Sequence, residues 1–320
     1  MRLLLLNLCL ASLQAQDLPT IRVPVRLVTV PTLVFSQGNR LIPGLEAADF
    51  RVLDKGRSQQ ITVEEASAPL SVAIAIQANE DVRAYLPFIA KTGNVVDALL
   101  SGGTGEAAVL TYGSAVNVVK PFDSGDVDSA LREIRADGKP ARMIDAGMRA
   151  VSLLSKRPAA RSRILLFIGQ ARDTESESKL MSLEQAVEKE NITVYCLALP
   201  EVGRAFVSDT FSLTGAEKGG FKAGVDLGRL ISVLARSASA ADGSDPFSVL
   251  TAATGGTEVH FRSQHQLEDG IAAIGVEARS AYVLSYYPNS QDSGYHTVRV
   301  EVDVSGAKVY SRPGYWLATD

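Results

Sequence analysis

The chain has 320 residues, of which 46% are hydrophobic and 21% charged, with a formal net charge of -4. Once a leading segment is set aside, roughly 300 residues can bury about three quarters of the surface their unfolded chain exposes, so one large domain or two modest ones need no covalent staple. The mild acidity and the lack of any long basic run argue against nucleic acid or an anionic membrane surface as partner. Of the 2 cysteines, Cys9 lies in the leading segment and Cys196 in an apolar run, so no intrachain disulfide is expected in the mature chain.

Residues 1–15 read as a signal peptide: Met1 and Arg2, the mainly apolar Leu3 to Leu13, then the polar Gln14-Ala15-Gln16-Asp17, with Ala15 before the cut. The apolar run spans about 11 residues, short of the roughly 20 that cross a bilayer. The expectation is an extracytoplasmic protein, periplasmic or secreted, whose mature chain does not insert into a membrane. Residues 20–66 then show strands and tight turns: Val23 to Phe35, the turn Gln37-Gly38-Asn39, the strand Phe50 to Leu53, the turn Asp54-Lys55-Gly56, and the strand Gln60 to Glu64. So few strands make a poor core alone. More are predicted at 280–317, from Ser280 to Tyr287, Tyr295 to Val304 and Lys308 to Arg312, separated by turn chemistry at Asn289 to Gly294 and Ser305-Gly306. The two ends together are expected to form one β-sandwich into which the middle of the chain is inserted.

Residues 70–277 change character. Leu70 to Ile76, two strands within Glu106 to Val119, Arg163 to Ile168, Thr193 to Ala198 and Thr257 to Phe261 read as strands. Arg83 to Leu100, Asp126 to Arg135, Ile144 to Leu154, Leu183 to Glu190, Pro246 to Thr254 and Gln266 to Glu277 read as helices. Continuous apolar strands alternating with helices predict an α/β, doubly wound, mostly parallel sheet covered on both faces. Residues 202–244 are long, rich in small residues and aperiodic except at Leu227 to Leu234, the pattern of an insertion with one short helix.

In such a sheet the ligand crevice lies beyond the carboxyl ends of the strands where the strand order reverses, here after Ile76 and after Ile168. Nearly the whole mature chain resembles bacterial von Willebrand factor A-related proteins of the acidobacterial type. The resemblance is carried by Gly44-Leu45-Glu46-Ala47-Ala48-Asp49-Phe50-Arg51-Val52, by Ala68-Pro69-Leu70-Ser71-Val72, by Ala281-Tyr282-Val283-Leu284-Ser285-Tyr286-Tyr287-Pro288 and by Arg312-Pro313-Gly314-Tyr315-Trp316. It implies a von Willebrand factor A-like, Rossmann-type domain and a metal-ion-dependent adhesion site. That site has Asp-x-Ser-x-Ser after the first strand, a Thr from a later loop and an Asp after the fourth strand, holding a divalent cation that reaches a partner's carboxylate. This chain departs at every ligand: Gln77 stands for the Asp, Asn79 and Asp81 for the two Ser, Ala141 for the Thr and Gln170 for the final Asp, with Asp173 close by. Neutral amides remove the charge that offsets dehydration of a hard cation, so no metal is expected to bind more tightly than about millimolar.

No Gly-x-Ser-x-Gly elbow, His-Glu-x-x-His pair or phosphate-binding Gly-x-x-x-x-Gly-Lys-Ser/Thr loop occurs. The 3 histidines, His260, His265 and His296, fall in separate elements. Ser176-Glu177-Ser178-Lys179 matches Ser-x-x-Lys without its partner motifs, and Gly102-Gly103-Thr104-Gly105 joins a helix to a strand, the wrong order for a phosphate loop. The sequence therefore points to an exported, non-catalytic protein-interaction module with no cofactor. Its partner-binding face would comprise Gln77, Asn79, Asp81, Ala141, Gln170 and Asp173. The alternatives are cation-dependent adhesion through a rearranged site using Asp81 and Asp173, and a structural envelope or matrix component without a discrete site.

Overall fold

A computed structural model describes residues 27–317 apart from 38–39, 66–68, 101–104, 124, 159, 200–244, 281 and 291. The expected signal peptide, the 202–244 insertion with its helix, the centre of the turn at 37–39 and the glycine run 102–104 lie outside the described residues.

The middle of the chain builds a six-stranded sheet from β5 (Leu70–Gln77), β6 (Glu106–Tyr112), β7 (Val116–Lys120), β8 (Ser162–Gly169), β9 (Ile192–Ala198) and β10 (Glu258–His260), in the order β10-β9-β8-β5-β6-β7. All neighbours are parallel except β7, which turns back antiparallel on β6. The chain winds outward from β5 through β6, then returns to the other side of β5 and winds outward again through β8 and β9. That is the doubly wound arrangement, with its reversal between β5 and β8.

Both faces are covered, which is why β5 is buried at every position from Leu70 to Gln77. Val72, Ile74 and Ile76 point to one face and pack with α1 (Leu86–Ile89), α2 (Gly93–Leu100), α3 (Val127–Glu133) and the long α7 (Gln264–Ser280). Ala73 and Ala75 point to the other, where α4 (Met143–Leu154), α5 (Leu180–Lys189) and α6 (Pro246–Thr254) lie. On this second face Gly147 of α4 lets α5 come close: a Cβ there would stand 2.5 Å from Leu183 Cδ2.

The two ends of the chain supply two four-stranded antiparallel sheets. One is β13 (Lys308–Ser311), β1 (Val28–Phe35), β11 (Tyr282–Tyr286) and β4 (Ile61–Glu65); the other is β14 (Gly314–Leu317), β12 (Gly294–Val302), β2 (Phe50–Asp54) and β3 (Arg57–Ser58). Val28, Val30, Val52, Leu284, Val298 and Tyr315 from the two sheets meet in one apolar cluster. The β2–β3 hairpin is closed by Lys55 at φ 46° and Gly56 at φ 76°, the two positive values that a two-residue turn matched to strand twist demands.

Three expectations need correcting. The single helix predicted over Arg83 to Leu100 is a 3-10 turn (Glu80–Val82) followed by α1 and α2. Pro87 has no N–H to give and is tolerated only in a first turn, so α1 starts at Leu86, and the Thr92 hydroxyl then folds back on the Ile89 carbonyl (2.8 Å). Ser280 ends α7 rather than opening a strand. The short strands β3 and β14 were not anticipated, because two to four residues beside turns carry too little alternation to register.

Candidate functional site

The crevice at the strand-order reversal is filled by side-chain amides. Gln77 at the end of β5 is fully buried; its Nε2 donates to Asn79 Oδ1 (3.0 Å) and to Gln170 Oε1 (3.2 Å), while its Oε1 accepts from the Gln170 backbone N–H (2.6 Å). Asn79 Nδ2 donates in turn to the Lys139 carbonyl (2.8 Å). Three neutral side chains thus satisfy one another across the ends of β5 and β8. Gly169 makes the approach possible, since a Cβ there would lie 2.5 Å from the Tyr112 hydroxyl and 2.7 Å from Gln77 Cβ. The Tyr112 hydroxyl, fully buried at the end of β6, has no hydrogen-bond partner among the described residues, and burial pushes its ionisation far above the usual tyrosine range.

The acids near the crevice are engaged in holding loops. Asp173 Oδ1 accepts from the Ile144 N–H in the first turn of α4 (2.9 Å) and from the Ser176 hydroxyl (2.6 Å). Thr174 Oγ1 accepts from the N–H of Ala141, which is itself fully buried (2.8 Å). Asp145 accepts from the N–H groups of Glu177 and Ser178, both at 3.0 Å. Burial works against its charge, but those two N–H groups outweigh it and hold the Asp145 carboxyl below its ordinary range. The loop after β8 is in this way stitched to the start of α4. Asn79 holds the position before the 3-10 turn, and the Asp81 carboxylate inside that turn pairs with Arg172 across the crevice rim.

The site therefore brings Gln77, Asn79 and Gln170 into direct contact, with Ala141 and Asp173 on the adjoining loop and Asp81 on the rim. These residues do not fit a divalent cation. Ala141 offers no side-chain oxygen, the amide oxygens of Gln77, Asn79 and Gln170 already accept hydrogen bonds, and Asp173 is bound to α4. Among the described residues no group of three or more His, Cys, Asp or Glu is gathered in metal-binding proximity.

The other sequence candidates are dispersed. Ser176 of the Ser-x-x-Lys match spends its hydroxyl on Asp173 and accepts from the Asp145 N–H (3.1 Å). His260 stands beside Glu258, His265 beside Asp269, and His296 is fully buried in the end sheets with Nδ1 at 2.9 Å from Asp54 Oδ1. Sequence reasoning passed over Arg142 and Arg172, the two arginines that border the crevice. Arg142 carried one signal: it occupies the cap position of α4, where Ser, Thr, Asp or Asn is the usual choice.

No protein-family model matches the chain, and no curated protein matches it. Among solved structures it is similar to the SpRpn10 VWA domain, at 12% identity over 42% of this chain and 77% of that one, with a TM-score of 0.34. It is also similar to an aerotolerance-related membrane protein from Bacteroides fragilis NCTC 9343 carrying multiple mutations to serine, at 12% identity over 64% of this chain and 98% of that one, with a TM-score of 0.40. The doubly wound assignment of the central sheet rests on its own strand order and crossovers.

Proposed function

We propose that this chain is an exported, non-catalytic protein-interaction module of the von Willebrand factor A type that works without a bound metal. The two end sheets form a sandwich that serves as pedestal, and the loops at the carboxyl ends of β5, β6 and β8 form the contact face. The observation that carries this reading is the Gln77–Asn79–Gln170 network: the place where the fold exposes a crevice is closed by uncharged groups that bond to each other. Export is read from Arg2 and the apolar run that follows it. Among the described residues no helix is long and apolar enough to cross a membrane.

A thermal melt in millimolar Mg²⁺, Mn²⁺ or Ca²⁺ against a chelator tests the metal independence, because a ligand that binds only the folded state raises its stability. The expected result is no shift. A shift that disappears in the Asp81→Ala, Asp173→Ala double variant would replace this reading with cation-dependent adhesion. Interaction itself is tested by cross-linking in the native envelope: Lys139→Glu and Glu175→Lys, both on exposed rim positions, should remove the adduct formed by the wild type. Adducts unchanged in both variants would move the contact elsewhere or leave a structural component with no discrete site.

A further inference from the structure

Arg142 is anomalous for its position. It precedes α4 at the cap, where the helix end carries partial positive charge and a cation is electrostatically unwelcome. Its side chain is only 29% exposed, yet none of its guanidinium N–H groups makes a hydrogen bond among the described residues. Nε is buried without a partner. Nη1 stands 3.8 Å from Asp145 Oδ2 and 3.8 Å from Glu177 Oε1, beyond hydrogen-bond reach of either. Asp145 is fixed in position by the N–H groups of Glu177 and Ser178, one on each oxygen, and meets Arg142 only across that longer gap. Glu177 is 90% exposed and reaches toward Arg142 from the solvent side. A guanidinium only 29% exposed, with Nε buried without a partner among the described residues and Nη1 in two long ion pairs, is a cost to the folded protein unless something binds there.

We propose that Arg142 is the recognition group of the contact face and receives a carboxylate carried by an acidic segment of a protein partner. This deepens the reading of the strand-end loops as the interaction surface and rests on it. A guanidinium offers a planar, permanently charged fork whose paired N–H groups match both oxygens of a carboxylate. It can do so without a cage of acidic ligands, which agrees with the neutral crevice beside it. Arg142 follows Ala141 directly, and Ala141 is pinned to Thr174 by two hydrogen bonds, its N–H to the hydroxyl (2.8 Å) and its carbonyl to the Thr174 N–H (3.0 Å). The fork is therefore anchored to the crevice floor. Arg172, the other rim arginine, is already paired with Asp81. Glu177 acts as a weak internal competitor that the incoming carboxylate displaces.

The test is a nuclear magnetic resonance titration of the full chain with a blocked tri-glutamate peptide, following the Arg142 Nε–H and the backbone amides of Ala141 and Arg142. The expected outcome is a saturable shift of these signals, weakened at least tenfold in Arg142→Gln and only partly recovered in Arg142→Lys, which keeps the charge without the fork. Arg142→Gln should melt close to the wild type, since only two long ion pairs and no hydrogen bond are lost, and Glu177→Gln should tighten binding severalfold. Equal peptide binding in Arg142→Gln, an unmoved Arg142 signal, or a variant that unfolds at markedly lower temperature would overturn the proposal. Inorganic phosphate is titrated in parallel: phosphate binding tighter than the peptide would assign the site to a free anion and overturn the protein-borne carboxylate. If Arg142→Gln retains the envelope adduct that Lys139→Glu and Glu175→Lys remove, this inference falls while the contact face stands.

Discussion

Gln77 is placed so that its amide nitrogen faces two side-chain oxygens and its oxygen faces a backbone N–H. Gln77→Glu preserves the shape but points a carboxylate at Asn79 Oδ1 and Gln170 Oε1 in a fully buried site. We expect a loss of roughly 2–4 kcal/mol at neutral pH by chemical denaturation, shrinking as pH falls, because the protonated acid restores one donor. A loss independent of pH would mean that the side chain leaves the crevice. The opposite sign is expected at Tyr112, whose buried hydroxyl finds no partner among the described residues. Tyr112→Phe removes an unsatisfied group without making a cavity, so its melting temperature should equal or exceed that of the wild type.

At the scale of elements, α4 begins without a cap of its own and borrows one. Asp173, from the loop after β8, accepts from Ile144 N–H, and Asp145 on α4 returns the contact to Glu177 and Ser178. Asp173→Ala should cost about 1–2 kcal/mol, the range for losing a helix cap, and should raise amide exchange in both the start of α4 and the 173–178 loop. Exchange confined to one of them would show that the two are not coupled. The acid motif read in the sequence as a possible cation site is therefore legible for its residues but not its role. The family resemblance placed Asp173 beside the crevice, whereas only the fold shows its Oδ1 turned to a helix end 29 positions earlier in the chain. The helix break near Pro87 follows the same logic, since Pro87 was visible but its consequence depended on where α1 could begin.

At the scale of the whole molecule, two buried polar groups tie distant segments together. Asp54 on β2 accepts from Tyr286 on β11 (3.0 Å) and Tyr315 on β14 (2.7 Å) and lies 2.9 Å from His296 Nδ1 on β12, so one carboxylate joins both end sheets. Burial, together with that carboxylate, pushes both tyrosine hydroxyls well above their ordinary range. Asp54→Ala leaves three polar groups without their acceptor, and a loss of about 3–5 kcal/mol is expected. Within the α/β unit, Glu277 on α7 is fully buried against Thr257 and Tyr195, and burial raises it from 4.5 to about 7 despite those hydrogen bonds. The folded state then holds a proton that the unfolded state releases between pH 4.5 and 7, so this group's contribution is full below that window and falls as pH rises through it. The difference amounts to about 3 kcal/mol. Glu277→Gln should flatten that slope in denaturation curves taken from pH 4.5 to 8, and an unchanged slope would place the titration elsewhere.

The sequence by itself determined the alternation of buried strands with helices, and hence a doubly wound sheet, because a strand covered on both faces must be apolar throughout and a helix between parallel strands must show one apolar stripe. The hydrophobic runs also pointed to the loops after Ile76 and Ile168, and the family resemblance picked out Gln77, Asn79 and Gln170 within them. Only the tertiary structure decided what those residues do. Whether an amide is free or spent, whether an acid faces solvent or a helix end, and whether an arginine has a partner depend on side chains tens of positions apart. The Gln77–Gln170 bond spans 93 positions and the Asp54–His296 contact 242. Local periodicity carries no information about which polar groups meet at such separations, because that is set by how the strands pair and the loops cross over the sheet.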